Sequence, residues 1–368
     1  MMSVYQELLE QNRQIICLGS GGVGKTTMSL TLAVLAVLRG KRVAVLSIDP
    51  AQRLANALGI SLGGSLRKVS WPTPITNGGE LHAAMLDQKA VFDDLVARFV
   101  KDGKEREKIL KNRLYQAAST KFGGAIEYMA LAKLQEMIDS KKFDLIILDT
   151  PPDSHALDFL SKPNILAGFV EQGVMSWLIK PLVLANRFGL KKLINMGERL
   201  AQGLAKVTGV AALQILAELL VLMQEVIVGL NKTGQDVIET LQREDTAFVL
   251  ITTLNSAPVR SACNIAEQLK IQDYRVKGVI VNRCLPQELQ ESIATFPENA
   301  GTLGASKFCL QSLYSSHQNS VKLKKTLIDR LKSLFGVSPY TKYFNERTGE
   351  LHNLEALIFA AQDLDNSQ

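Results

Sequence analysis

The run Gly19-Ser20-Gly21-Gly22-Val23-Gly24-Lys25-Thr26-Thr27 carries the densest chemistry in the chain. Its spacing, G-x-x-x-x-G-K-[ST], lets successive backbone N–H groups turn inward around phosphate oxygens. Lys25 supplies a point charge for the β- and γ-phosphates, and the Thr26 hydroxyl is a ligand for Mg2+. With glycine near 7% of average composition, such a pattern arises by chance in roughly one chain in a hundred of this length. The expected ligands are therefore ATP and Mg2+.

Two aspartates follow apolar runs, where the carboxyl ends of strands should lie. In a nucleotide-binding α/β sheet the chemistry occurs at those ends. Asp49 closes Val43–Ile48 and precedes Pro50, which stops the strand. Asp149 closes Leu145–Leu148 and precedes Thr150-Pro151-Pro152. Mg2+ keeps several waters and takes few carboxylates, so Asp149 suits it as a ligand, usually through a water. Asp49 is left to orient or polarise the attacking water. Either aspartate alone would read as an ordinary turn residue; the glycine-rich loop upstream gives the pair its meaning.

The elements that must position these groups are legible as five apolar runs: Gln14–Leu18, Arg42–Ile48, Phe143–Leu148, Ala247–Thr252 and Val276–Val281. They lack alternation, as parallel strands covered on both faces should. Helical patterns separate them, and Thr26–Leu38 is the helix whose positive end faces the anion. The expected class is α/β, a doubly wound, mostly parallel sheet with a phosphate loop. Tyr340–Glu346 is expected as a sixth strand at an edge. Ala55–Lys141 (with helices Lys89–Val100 and Glu105–Leu114) and Leu157–Gln242 exceed simple crossovers. They are read as helical insertions, about 55–141 and 157–242, that form a helical subdomain within a single domain spanning 1–368.

At 368 residues, 46% apolar and 21% charged, the chain is globular rather than disordered. No stretch has the uncharged apolar length of a membrane span, and Met1–Gln11 lacks a signal-peptide core. Cys17, Cys263, Cys284 and Cys309 show no C-x-x-C spacing, which argues for reduced thiols in the cytoplasm and against structural zinc. The net charge of +6 is modest. Part of it lies in Lys180, Arg187, Lys191, Lys192, Arg199 and Lys206, a solvated helix face or a contact for acidic lipid at the membrane periphery. No aromatic-rich reading surface accompanies it, so nucleic acid is not an expected partner.

Taken together, G-S-G-G-V-G-K-T-T, the Asp49–Leu54 segment D-P-A-Q-R-L and the Asp149–Leu160 segment D-T-P-P-D-S-H-A-L-D-F-L resemble the arsenite-pump ATPases. They equally resemble that family's relatives that target tail-anchored membrane proteins. Phe248–Asn282 and Gly349-Glu350-Leu351-His352-Asn353-Leu354 extend the likeness from Gln14 to about Leu364. The resemblance implies a phosphate-loop NTPase of the SIMIBI class, working as a dimer with facing nucleotide sites and a helical layer that opens and closes. It places Asp49 in switch I and Asp149 in switch II, matches His155 to the switch II histidine, and implies that Asn282 recognises adenine.

This chain departs from the family in three respects. Ser20 stands where the family usually has a lysine that reaches the partner's phosphates. Arg53 is a candidate substitute charge, and pairing with a lysine-bearing paralogue in a heterodimer is the other solution. The dimer-bridging zinc cysteines are absent, and Asp153-Ser154 replaces the usual Thr-Gly. Thiolate sets for arsenite are missing too, which argues against direct arsenite sensing.

Val210–Leu230 keeps Gln214, Glu218 and Glu225 on one narrow helical face, and Met175–Leu184 is similarly apolar. These helices form either a thick core or a groove for an apolar client helix. The expected function is an ATP-hydrolysing, nucleotide-switched homo- or heterodimer, coupled to a membrane anion pump or to an apolar membrane-protein client. The alternative is an ATP-binding, weakly hydrolysing partner subunit or chaperone-like binding protein in a heterodimer with a lysine-bearing paralogue.

Overall fold

A computed structural model of the chain describes residues 4–49, 52–72, 77–113, 115–116, 119, 126–151, 224–294, 304–336, 339–346 and 353–366. The elements run α1 (Val4–Gln11), β1 (Gln14–Leu18), α2 (Lys25–Leu38), β2 (Arg42–Ser47), α3 (Arg53–Leu58), β3 (Arg67–Lys68) and β4 (Glu80–Met85). Then come α4 (Gln88–Phe99), α5 (Gly103–Lys111), α6 (Ile126–Asp139), β5 (Leu145–Asp149), α7 (Gln224–Gln242) and β6 (Thr246–Thr252). The chain closes with α8 (Ser256–Ile271), β7 (Val276–Cys284), α9 (Gln287–Ala294), α10 (Gly304–Phe335), β8 (Tyr340–Asn345) and α11 (Leu354–Asn366).

Two compact units are present. The first draws its described residues from Met1–Leu86, Met137–Asp158 and Thr240–Gln368, the second from Asp87–Glu136 and Phe159–Glu239. The first holds an eight-stranded sheet in the order β3-β4-β2-β5-β1-β6-β7-β8. All neighbouring pairs are parallel except β3 with β4. This is the expected α/β sheet, with β8 on an edge.

The five apolar runs lie in the five central strands, and β1, β5 and β6 are buried along their whole length. Helix α2 is apolar on almost every side because β1, β2, β4 and β5 contact it and α11 packs against it as well. Helix α8 packs on β6, with α10 against α8.

Residues 55–86 were expected within a helical insertion, yet they contain β3 and β4. Strand β4 reads Glu-Leu-His-Ala-Ala-Met, with two alanines and two polar residues, so it offers little β-propensity. What makes it a strand is pairing with β2 from Arg42↔Glu80 to Ser47↔Met85.

In the second unit, α4 and α5 begin slightly earlier than expected because aspartates cap them. Asp87 accepts from the Ala90 amide at 3.0 Å, and Asp102 accepts from the Lys104 amide at 2.8 Å. The Tyr115 hydroxyl donates to Asp93 at 2.7 Å. On α7, Gly229 gives room to α4: a Cβ there would lie 2.3 Å from the Phe99 ring. Met175–Leu184, the basic positions Lys180–Lys206 and most of Val210–Leu230 lie outside the described residues.

Candidate functional site

The phosphate loop leaves β1 between two neighbours, β5 and β6, and its glycines answer to steric demands. A Cβ on Gly19 would sit 2.1 Å from the Ile251 carbonyl oxygen of β6. Gly24 has φ +91°, in the left-handed region, and a Cβ there would lie 2.4 Å from Asn282 Nδ2. Gly24 is also the N-cap of α2 and offers no side-chain cap, so that helix end presents amides with no side-chain acceptor. Gly21 and Gly22 are exposed, whereas Val23 is buried and anchors the loop. Lys25 is buried and donates from Nζ to the Ser20 carbonyl at 2.9 Å. The Ser20 hydroxyl is itself buried with no hydrogen-bond partner. Thr27 contributes its carbonyl to the Thr31 hydroxyl at 2.8 Å, inside α2.

Asp149, the last residue of β5, pairs in register with Cys17 on one side and Ser47 on the other. Its Oδ2 accepts from Thr26 Oγ1 at 2.8 Å and from Ser47 Oγ at 2.9 Å. Its Oδ1 is buried with no hydrogen-bond partner. Complete burial pushes the carboxyl up to about 6, although the hydrogen bonds from Thr26 and Ser47 and the charge of Lys25 pull the other way. An acceptor oxygen left bare beside a threonine hydroxyl is a costly arrangement that a hydrated cation would relieve. Together with the open end of α2, these residues fit a phosphate–Mg2+ pair.

Ser47 was not anticipated. Its hydroxyl donates to Asp149 and accepts from the Asp49 amide at 3.3 Å, so one side chain joins both acidic positions. Asp49 is largely buried and forms a 3.4 Å ion pair with Arg53, whose side chain is 59% exposed. Between them Gln52 adopts φ +55°, left-handed for a residue with a side chain. Thr150 fixes the start of the next segment by donating to the Cys17 carbonyl at 2.7 Å. Beneath the loop, burial pushes the Cys17 thiol up to about 12.

Asn282 lies near the carboxyl end of β7 and meets the loop directly, its Nδ2 donating to the Val23 carbonyl at 2.9 Å. Asp153, Ser154, His155 and residues 349–352 lie outside the described residues. Asn353 caps α11 by accepting from the Ala356 amide at 2.8 Å.

A profile of the family described as anion-transporting ATPase matches residues 12–329, most of the chain. The chain belongs to that family. Among curated relatives, "ATPase ASNA1 homolog 1" of Paramecium tetraurelia is 36% identical over 148 residues, 40% of this chain and 43% of that protein. "ATPase get3" of Pyrenophora tritici-repentis is 32% identical over 171 residues, 45% and 48% of the two chains. "ATPase GET3" of Phaeosphaeria nodorum is 30% identical over 210 residues, 55% and 60%. The chain thus spans about half the length of the curated relatives it matches. Among the described residues, no helix is long and apolar enough to cross a membrane.

Proposed function

We propose that the protein hydrolyses ATP with Mg2+ at the loop Gly19–Thr27 and that nucleotide state switches a dimer. The observation that carries this reading is the bare, buried Oδ1 of Asp149 beside Thr26, at the mouth of an uncapped helix that begins with Lys25. In this reading the loop amides hold the phosphates, and Lys25 exchanges the Ser20 carbonyl for a phosphate oxygen. Thr26 and Asp149 hold the cation, Asp149 through water. Bound Mg2+ neutralises charge that develops on the phosphates.

Asp49 orients the attacking water, and Ser47 holds its backbone in place. Arg53, tethered to Asp49 yet more than half exposed, is free to present its charge toward a second copy, where the family usually uses a lysine at position 20. The family's description supports coupling to anion transport. The resemblance to targeting ATPases supports an apolar membrane-protein client, with the protein in the cytoplasm or at the membrane periphery. A weakly hydrolysing subunit in a heterodimer is the second reading, favoured by Ser20, which brings an uncharged, unpartnered hydroxyl to the loop.

Steady-state ATP turnover of the pure protein, with its solution mass in ATP and in ADP, tests both readings. A dimer in ATP that turns over alone supports the first. Turnover that appears only on adding a lysine-bearing paralogue supports the second. No binding of Mg·ATP would overturn both. Stimulation by arsenite or another oxyanion supports the transport branch, and ATP-dependent capture of a synthetic apolar helix supports the client branch.

A further inference from the structure

The resemblance implies that Asn282 reads adenine; its amide also makes two bonds within the chain, one on each polar atom, and keeps a second N–H and a second lone pair. The Nδ2 donates to the Val23 carbonyl across 259 positions of sequence, and the Oδ1 accepts from the Arg283 amide at 2.9 Å. The second bond exists because β7 departs from regular pairing there: its register with β8 shifts between Val281 and Cys284. Arg283 takes φ +56°, left-handed for a residue with a Cβ. A bulge of this kind re-aims a side chain. Here it turns the Asn282 amide onto the loop, and the loop accommodates it, since Gly24 leaves the space that a Cβ would take at 2.4 Å from Nδ2. Asn282 is 8% exposed.

We infer that Asn282 is a positioning residue for the phosphate loop: through the Val23 carbonyl it holds the loop in the shape that binds a triphosphate before any nucleotide arrives. This inference rests on the reading of Gly19–Thr27 as a nucleotide site. Without the clamp, the Val23–Gly24 peptide samples other orientations. Every ligand then binds more weakly by the fraction of loops in the competent shape, whatever its base. An amide that served only to read the base would behave differently: its loss would weaken ATP alone and leave the empty loop unchanged.

The test uses Asn282→Asp, which keeps the volume against Gly24 and the acceptor for the Arg283 amide but removes the donor. Asn282→Ala serves as a second variant. The measurements are the Kd values of Mg·ATP and Mg·ITP (whose base lacks the 6-amino group), together with amide hydrogen exchange of the nucleotide-free protein. A buried carbonyl left without its partner predicts a loss of about tenfold. We expect that loss for ITP as well as for ATP. Exchange should be faster at residues 20–24 while β1 and β6 keep their protection.

Weaker ATP binding with ITP unaffected and loop exchange unchanged would overturn the inference in favour of adenine reading alone. Unchanged affinities in both variants would overturn it too. So would loss of protection throughout the sheet in both variants, which would make Asn282 a general structural residue. If the unaltered protein binds neither nucleotide, the failure lies with the nucleotide-site reading instead.

Discussion

Asp149→Asn should make the nucleotide-free protein more stable at neutral pH while removing its response to Mg2+. The folded carboxyl is raised from its ordinary 3.8 to about 6, chiefly by burial. At 1.36 kcal/mol per pH unit, the gap corresponds to about 3 kcal/mol against the charged form, an upper figure. The sign follows from proton linkage. A carboxyl with a raised folded value favours the fold below its unfolded value, and that contribution is lost as pH rises through about 6. The wild type should therefore gain stability relative to Asp149→Asn as pH falls from 7.5 to about 4. Other groups change the absolute curve: burial lowers His82, and ion pairs lower Glu80 and Asp144. Those contributions cancel in the difference between the two proteins.

Urea unfolding in EDTA at several pH values, with the variant's stability minus the wild type's as the readout, checks this. We expect a difference near zero at pH 4 that grows to about 2–3 kcal/mol at pH 7.5. Mg·ATP should then raise the midpoint of the wild type alone. A difference that does not vary with pH, or a variant less stable at pH 7.5, would refute the burial argument.

Four further outcomes are expected. Gly24→Ala forces a Cβ into a left-handed residue 2.4 Å from Asn282 Nδ2, so equilibrium dialysis should show ATP affinity reduced more than about tenfold. Lys25→Met removes the buried ammonium and should cut steady-state turnover by at least about 100-fold. Arg53→Ala should lower kcat about tenfold or more while ATP affinity stays within about threefold; unchanged turnover would reject Arg53 as the substitute charge. Cys17, fully buried and pushed up to about 12, should resist a thiol reagent such as iodoacetamide in the native protein and react once urea exposes it, as mass spectrometry of the peptide would show.

The central sheet was legible because its strands are buried on both faces and therefore spell themselves as uninterrupted Val, Ile and Leu. Strand β4 was not, since its Ala83 and Ala84 owe their place to the register with β2 rather than to any preference of their own. At the candidate site, Lys25, Thr26, Asp49 and Asp149 announce themselves by spacing from a glycine loop or from a strand end. Ser47 has no such signature. Its partner Asp149 lies 102 positions away, and only the β2–β5 pairing brings them together. The ion pair between Asp49 and Arg53 was within reach, being four apart, but the left-handed turn at Gln52 that separates them was not. The engagement of Asn282 with Val23 depends on a bulge in β7, which no local pattern marks.

The wall behind Gly19 is Ile251, and the contact above Val23 is Asn282, both contributed more than 200 positions later. While the chain is being synthesised, a ribosome-bound fragment ending before β6 holds the whole glycine-rich segment but lacks both surfaces that give it shape. Such a fragment cannot use nucleotide as a folding aid. Capacity to capture ATP should switch on late in translation, as one event, once the last central strand has emerged and docked.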